Sequence, residues 1–175
     1  MPDLSTTEID KLFCLYGKKY KVKKLLLKAI ATIESSLGVR AYRYEPGFWI
    51  RYLKNNPEWK DRDPSEVSAS YGLMQLMYTT AHGLGFRGTG EDLYNPVINI
   101  ELGAKLVRNL MDKVREKHSY LNTNLWDIEI SLSWYNGGSK GNPGEDGKLR
   151  NQRYVTRVLE KYQELRKKEK ECDET

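Results

Sequence analysis

Val22-Lys-Lys-Leu-Leu-Leu-Lys-Ala-Ile-Ala-Thr-Ile-Glu34-Ser35-Ser36-Leu37-Gly38 is the stretch that decides the fold. Val22, Leu25, Leu26, Ala29, Ile30 and Ile33 recur at helical spacing and form one broad apolar stripe, with Lys21, Lys24 and Lys28 on the opposite side. The pattern predicts a core-facing helix over 22–38, ended by Gly38. Glu34 follows Ile30 by four positions and Leu27 by seven, which puts its carboxylate on the flank of the buried stripe rather than among the lysines. In the last turn the negative end of the helix dipole disfavours a charged carboxylate, and partial burial acts the same way. Both raise a carboxyl pKa toward what a general acid needs near neutral pH. The competing reading is an acid facing water at a frayed helix end.

At 175 residues the chain suits one domain over 1–175, long enough to bury a core. A hydrophobic fraction of 39% and a mean hydropathy of −0.70 describe a soluble, folded protein with a well-charged surface. The net charge of +5 favours polyanionic surroundings: nucleic acid, anionic lipid or the acidic polymers of a bacterial cell wall. No basic run is interleaved with stacking aromatics, so nucleic acid is disfavoured. Cys14 and Cys172 fall in predicted terminal helices that can meet in space, yet two cysteines give neither a disulfide framework nor a metal spacing; free thiols are expected. His82 and His118 are the only histidines, which argues against a histidine-based catalytic or metal site. No basic segment precedes an apolar one at the N-terminus, and no run reaches transmembrane length, so neither an export signal nor a membrane span is expected.

Ser5 and Glu8 form a capping box for a helix over 6–16 with Ile9, Leu12, Phe13 and Tyr16 inward, after which Gly17 allows a turn. From 39 to 68, Tyr42, Tyr44, Phe48, Trp49, Tyr52 and Trp59 crowd between Pro46, Pro57 and Pro64, around a short helix over 47–54. Such aromatics suit the wall of a sugar-binding groove, with Trp49 or Tyr44 stacking on a ring, and equally suit a local cluster that packs the segment onto the body. In Gly72-Leu-Met-Gln75-Leu-Met77, Gly72 marks a close approach and Gln75 is either exposed or buried with a partner. Asn95-Pro96 opens the longest helix, 96–117, with Ile98, Leu102, Leu106, Leu110 and Val114 inward. Asn122 to Asn124 cap another, through Trp126, Ile130 and Trp134 to Tyr135-Asn136-Gly137-Gly138. Residues 139–149 read as a flexible loop, 150–168 as a final helix and 167–175 as a charged tail that frays. With no strand pattern or internal repeat, the fold class is mainly α.

Glu34-Ser35 at a helix end, Gly72-Leu73-Met74-Gln75-Leu76-Met77, Asn95-Pro96 with Asn99-Ile100 and Gly103, Trp134-Tyr135-Asn136-Gly137-Gly138, and Tyr154-Val155 with Val158-Leu159 stand in one order over residues 22–160. Together they resemble the soluble lytic transglycosylases of the lysozyme-like superfamily and, more distantly, goose-type lysozyme. The resemblance implies a lysozyme-like helical domain with a substrate groove. Its single catalytic acid would be Glu34, flanked by Ser35. Gln75 and Met77 would hold the glycan, Tyr135 and Asn136 would lie near the reacting sugar, and Tyr154 would line the site. The implied reaction cleaves the β-1,4 bond between N-acetylmuramic acid and N-acetylglucosamine in peptidoglycan and leaves 1,6-anhydromuramoyl ends. No metal or organic cofactor is implied, the partner is the glycan strand, and a monomer is expected to act at the bacterial wall or periplasm.

Two features depart from the family. Glu34 and Gln75 stand 41 positions apart, farther than is usual, and the excess is the aromatic insert over 40–66. Glu45, among those aromatics, is the best candidate for a second carboxylate that would activate water in a hydrolase, although an ion pair with a neighbouring arginine explains it as well. Relatives also often carry a glutamate before the second tyrosine, where this chain has Lys148 to Asn151. A non-catalytic wall-binding or assembly module is the alternative from another class. A start methionine without an export signal resembles a phage lysin, and a shortened sequence would look the same.

Overall fold

The computed structural model describes residues 4–117 and 126–170. The Ser5–Glu8 pair opens α1 (Thr6–Tyr20) reciprocally: Ser5 Oγ accepts the Glu8 N–H at 3.3 Å, and the Glu8 carboxylate accepts the Ser5 N–H at 2.8 Å. The helix runs past the expected end at residue 16. Gly17 stays helical, and the reversal falls on Lys21, whose φ of 55° lets its N–H close on Gly17 O and Lys18 O. α2 (Lys24–Ser35) stops short of Gly38, because Ser36 (φ 53°) and Leu37 (φ 61°) turn left-handed and their N–H groups close on Thr32 O and Ala31 O. A tertiary contact anchors that turn: the Ser35 hydroxyl donates to Leu73 O at 2.7 Å.

Lys28, expected on the solvent side of α2, is buried. Asp10 of α1 and Glu169, just past α8 (Gln152–Lys168), approach its Nζ at 2.9 and 2.8 Å, so both faces of α2 are covered. α8 packs along α2, and the Lys24 ammonium donates to Lys170 O at 3.2 Å, which ties the end of the described chain to α2. Cys14, expected as a free thiol, is disulfide-bonded on α1, four residues from Asp10 and on the face drawn into this junction. Cys172 lies outside the described residues.

α6 (Pro96–Lys117) has its expected bounds, but its tightest face is Asn99, Ile100, Gly103, Ala104, Val107 and Val114. The predicted Leu102 and Leu106 sit half-buried on the flank, because Met74 packs so closely on Gly103 that a Cβ there would meet its sulfur at 2.2 Å. α7 (Asp127–Gly137) begins after Trp126, whose N–H is accepted by Glu129 at 2.9 Å; the predicted cap at Asn122 to Asn124 lies outside the described residues. Residues 139–149 are pinned rather than loose: a 3-10 turn occupies Gly138–Gly141, Pro143 bridges Leu149, and Leu149 is buried in the core. The main core gathers Phe13, Leu26, Leu27, Ile30, Met74, Ile100, Leu132 and Val155. Each such side chain contributes roughly 1.5–3 kcal/mol through burial.

The insert contains a strand that no sequence pattern announced. β1 (Tyr42–Tyr44), β2 (Ala69–Tyr71) and β3 (Leu76–Met77) form an antiparallel sheet in that order, and strands of three and two residues are too short to show a period of two. The predicted helix over 47–54 is split into α3 (Pro46–Phe48) and a π-helical turn, Trp49–Leu53. α4 (Pro64–Val67) and α5 (Tyr78–Gly83) complete this side, where Leu53, Trp59, Val67, Tyr71, Tyr78 and Leu93 make a second apolar cluster. The structure is mainly helical, as expected, and no described helix is long and apolar enough to cross a membrane.

Candidate active site

Glu34 occupies the last turn of α2, with its side chain held from the start of α8. The Tyr154 hydroxyl donates to Glu34 Oε1 at 2.7 Å, across 120 positions of sequence. No donor among the described residues reaches Oε2. Burial is the largest influence on the carboxyl and raises its pKa; the Tyr154 bond and the charges of Arg43 and Arg157 pull it back only in part. Tyr154 and Tyr135 are themselves pushed up, first by burial and then by the charge of Glu34, so both keep their protons and act as donors. The arrangement is a carboxylic acid with one oxygen fixed and the other available, in surroundings that favour its protonated form.

The Gly72–Met77 loop is fastened beside this acid from three directions. Gly72 has φ 69°, and a Cβ on it would collide with Asn99 Nδ2 at 2.6 Å and Leu93 O at 2.8 Å, so the expected close approach is to protein. Buried Asn99 gives Nδ2 to Tyr71 O and Leu93 O at 2.9 and 2.8 Å and takes the Met74 N–H at 2.8 Å. From α7, the Tyr135 hydroxyl donates to Met74 O at 2.7 Å. Ser35 supplies the third tether; its hydroxyl faces Leu73 O and Ala31 O, which ties Glu34 to the loop.

Gln75, the long polar residue of the loop, adopts φ 46° and donates Nε2 to Ala41 O and Gly72 O, each at 3.1 Å. Its amide thus joins the insert to the loop. Met77 is half-buried on β3. Asn136 is exposed at the end of α7, where its Oδ1 accepts from Asn151 Nδ2 at 3.2 Å. Asn151 also reaches Ser133 O at 3.0 Å and bonds the Ser133 hydroxyl, so the start of α8 is fixed to α7.

In the insert, the register pairs Arg43 with Ser70 and Ser70 with Met77, which forms one row across the sheet; Tyr42, Tyr71 and Leu76 form the row on the other face. Tyr44 shares the face of Tyr42, whose ring meets Tyr71 edge-on. Glu45 shares that of Arg43 and pairs with its Nε at 2.6 Å. Trp49 is half-buried, packed against the second cluster beside Phe48. The ion pair expected between Glu45 and a neighbouring arginine forms with Arg43. Sequence reasoning missed Arg157 and the tethering role of Asn99, which nothing local marks.

The Transglycosylase SLT domain family matches residues 11–153. The membrane-bound lytic murein transglycosylase E of Buchnera aphidicola subsp. Baizongia pistaciae (strain Bp) is 27% identical over 137 residues, covering 74% of this chain and 53% of that protein. The chain thus spans about half the length of this curated relative.

Proposed function

The chain belongs to the Transglycosylase SLT domain family, and from that premise we propose that it cleaves the β-1,4 bond between N-acetylmuramic acid and N-acetylglucosamine in bacterial peptidoglycan by lytic transglycosylation. The observation that carries the proposal is the half-buried Glu34 at the end of α2, its Oε1 fixed at 2.7 Å by Tyr154 and its pKa raised by burial. Glu34 donates its proton from Oε2 to the glycosidic oxygen as the bond to the muramoyl anomeric carbon breaks, and the sugar's own acetamide takes up the positive charge. The carboxylate so formed accepts the proton of the muramoyl 6-hydroxyl while that oxygen bonds to the anomeric carbon. Glu34 ends protonated, the product carries a 1,6-anhydro ring, and no water is consumed. Tyr154 donates to the carboxylate state and steadies it between the two transfers.

Glu45 is the carboxylate that a hydrolytic route would draft, and its bond to Arg43 argues against a free base there. The place of action is the cell wall, and the working unit is a monomer. The test is mass spectrometry of muropeptides from a digest of purified peptidoglycan. Anhydro ends, one water lighter than reducing ends, are expected. Reducing ends would replace transglycosylation with hydrolysis, and binding without cleavage would leave a wall-binding module.

A further inference from the structure

Residues 18–24 read Lys-Lys-Tyr-Lys-Val-Lys-Lys, five lysines with no acid among them. Of the 29 lysines and arginines in the chain, the other 24 equal the 24 acids in number, so this one turn accounts for the whole net charge of +5. It closes α1 and opens α2 on a tight backbone: a Cβ on Gly17 would meet Val22 O at 2.8 Å, and the Val22 N–H donates to Gly17 O at 2.9 Å. Val22 is buried, while Lys18, Lys19, Lys21 and Lys23 are exposed around it. Glu101 of α6 engages Lys19. Lys24 gives its hydrogen bond to the neutral Lys170 O, and Lys21 has no carboxylate partner among the described residues. A fixed cluster of like charges at the surface attracts an anionic partner.

The neighbouring residues say which partner. On the outer face of α1, Lys11, Leu15, Lys18 and Lys19 follow one another at helical spacing, and all four are exposed. Leu15 is thus a large apolar side chain, 56% exposed, set among ammonium groups. Tyr20 is half-buried at the helix end, with Lys19 Nζ 5.3 Å from its ring centroid. A soluble polyanion would satisfy the lysines alone. A lipid surface satisfies both kinds of group: headgroup phosphates meet the ammonium groups on their long stems, and Leu15 enters the acyl boundary. We propose that the Lys18–Lys24 turn, together with Leu15, docks the protein on an anionic lipid surface. α2 then sets the orientation. Lys24 opens that helix and Glu34 lies ten residues on, about 15 Å along its axis, so the docked end and the acid stand at opposite ends of one rod. That this turns Glu34 away from the lipid and toward the wall rests on the peptidoglycan reading above; the docking itself does not.

The experiment is co-sedimentation of the full chain with vesicles of mixed phosphatidylglycerol and phosphatidylcholine, and with vesicles of phosphatidylcholine alone, at low salt. Binding is expected to the anionic vesicles and not to the neutral ones. Lys18→Gln, Lys21→Gln and Lys23→Gln should each weaken it about fivefold and together about a hundredfold. Raised salt should weaken binding of the unaltered protein as well. Lys54→Gln, Lys60→Gln and Lys148→Gln combined remove the same charge outside the turn and should cost less than about twofold. Leu15→Ser should weaken binding about fivefold, by a factor that moderate salt does not change. Equal binding to neutral vesicles, full binding by the triple turn variant, or an equal loss with the triple control would each overturn the proposal. Displacement by soluble polyphosphate at equal phosphate, with no effect of Leu15→Ser, would overturn it in favour of an anionic polymer. Vesicle binding without release of muropeptides refutes the enzymatic reading and supports the docking. Release of muropeptides without vesicle binding does the reverse.

Discussion

The helical core around Leu27 and Ile100 and the aromatic cluster around Trp59 and Tyr71 are packed by different rules. The first is made of periodic apolar faces on long helices, and it presents Glu34, Tyr135 and Tyr154 from helix turns. The second is made of rings meeting at steep angles, as in Trp59–Tyr78 and Tyr71–Tyr94, with centroids 6.1 and 5.5 Å apart. Its backbone is irregular and held by side chains: the Tyr71 hydroxyl donates to Glu66 O at 2.9 Å, and the Ser68 hydroxyl to Glu45 O at 2.7 Å. Proton transfer needs atoms fixed within a fraction of an ångström, which helices backed by a dense core supply. Recognition tolerates an irregular surface and benefits from the varied side chains it exposes. From this difference we propose that chemistry belongs to the helical side and substrate contact to the insert.

The largest expected effect tests the helical side of that division. Glu34→Gln keeps shape and hydrogen bonding but removes proton transfer, and the cleavage rate should fall roughly 10²- to 10⁴-fold or more; full activity in this variant would end the assignment. Stability should move the other way. Burial raises the folded-state pKa of Glu34 above its unfolded value, so the folded protein holds the proton more tightly, and stability falls as pH rises from the ordinary carboxylate range through the raised value. Glutamine escapes that loss. The variant should melt higher than the wild type at neutral pH, and the two curves should converge below the unfolded carboxyl pKa.

Next in size is the joint between the two packings. Asn99→Ala strands the Met74 N–H and the carbonyls of Tyr71 and Leu93 in a buried place, which should cost about 2–4 kcal/mol in urea unfolding. A cost under about 1 kcal/mol would mean that the two packings stand independently. The smallest effect belongs to the insert. Trp49→Ala should remove about 1 kcal/mol of ring stacking, so glycan binding should weaken about fivefold in a titration with soluble strands. A marked fall in melting temperature with binding unchanged would return Trp49 to the cluster against which it packs.

The long helices were legible in the residues because each carries its own period and cap: Ser5 with Glu8, the apolar stripe before Glu34, Asn95-Pro96 at the head of α6. Glu34 itself was readable as an acid on the flank of a buried stripe. Lys28 shows the limit of that logic. A lysine opposite an apolar stripe belongs in water unless another element supplies acids, and here Asp10 and Glu169 do so. The helix end was likewise misplaced, because glycine is the local favourite for a left-handed turn, while Ser36 and Leu37 are held there beside the anchored Ser35.

Local order in the chain thus determined which segments are helical, which faces of α1 and α2 are apolar, and where one acid meets the edge of a core. Those properties depend on neighbours three and four residues away. Only the tertiary structure decided that Tyr154 holds Glu34, that Asn99 locks the Gly72–Met77 loop, and that three short segments pair into a sheet. Each of these joins groups that are distant in sequence, and the free energy that selects them comes from burial and hydrogen bonds that exist only once the helices have packed.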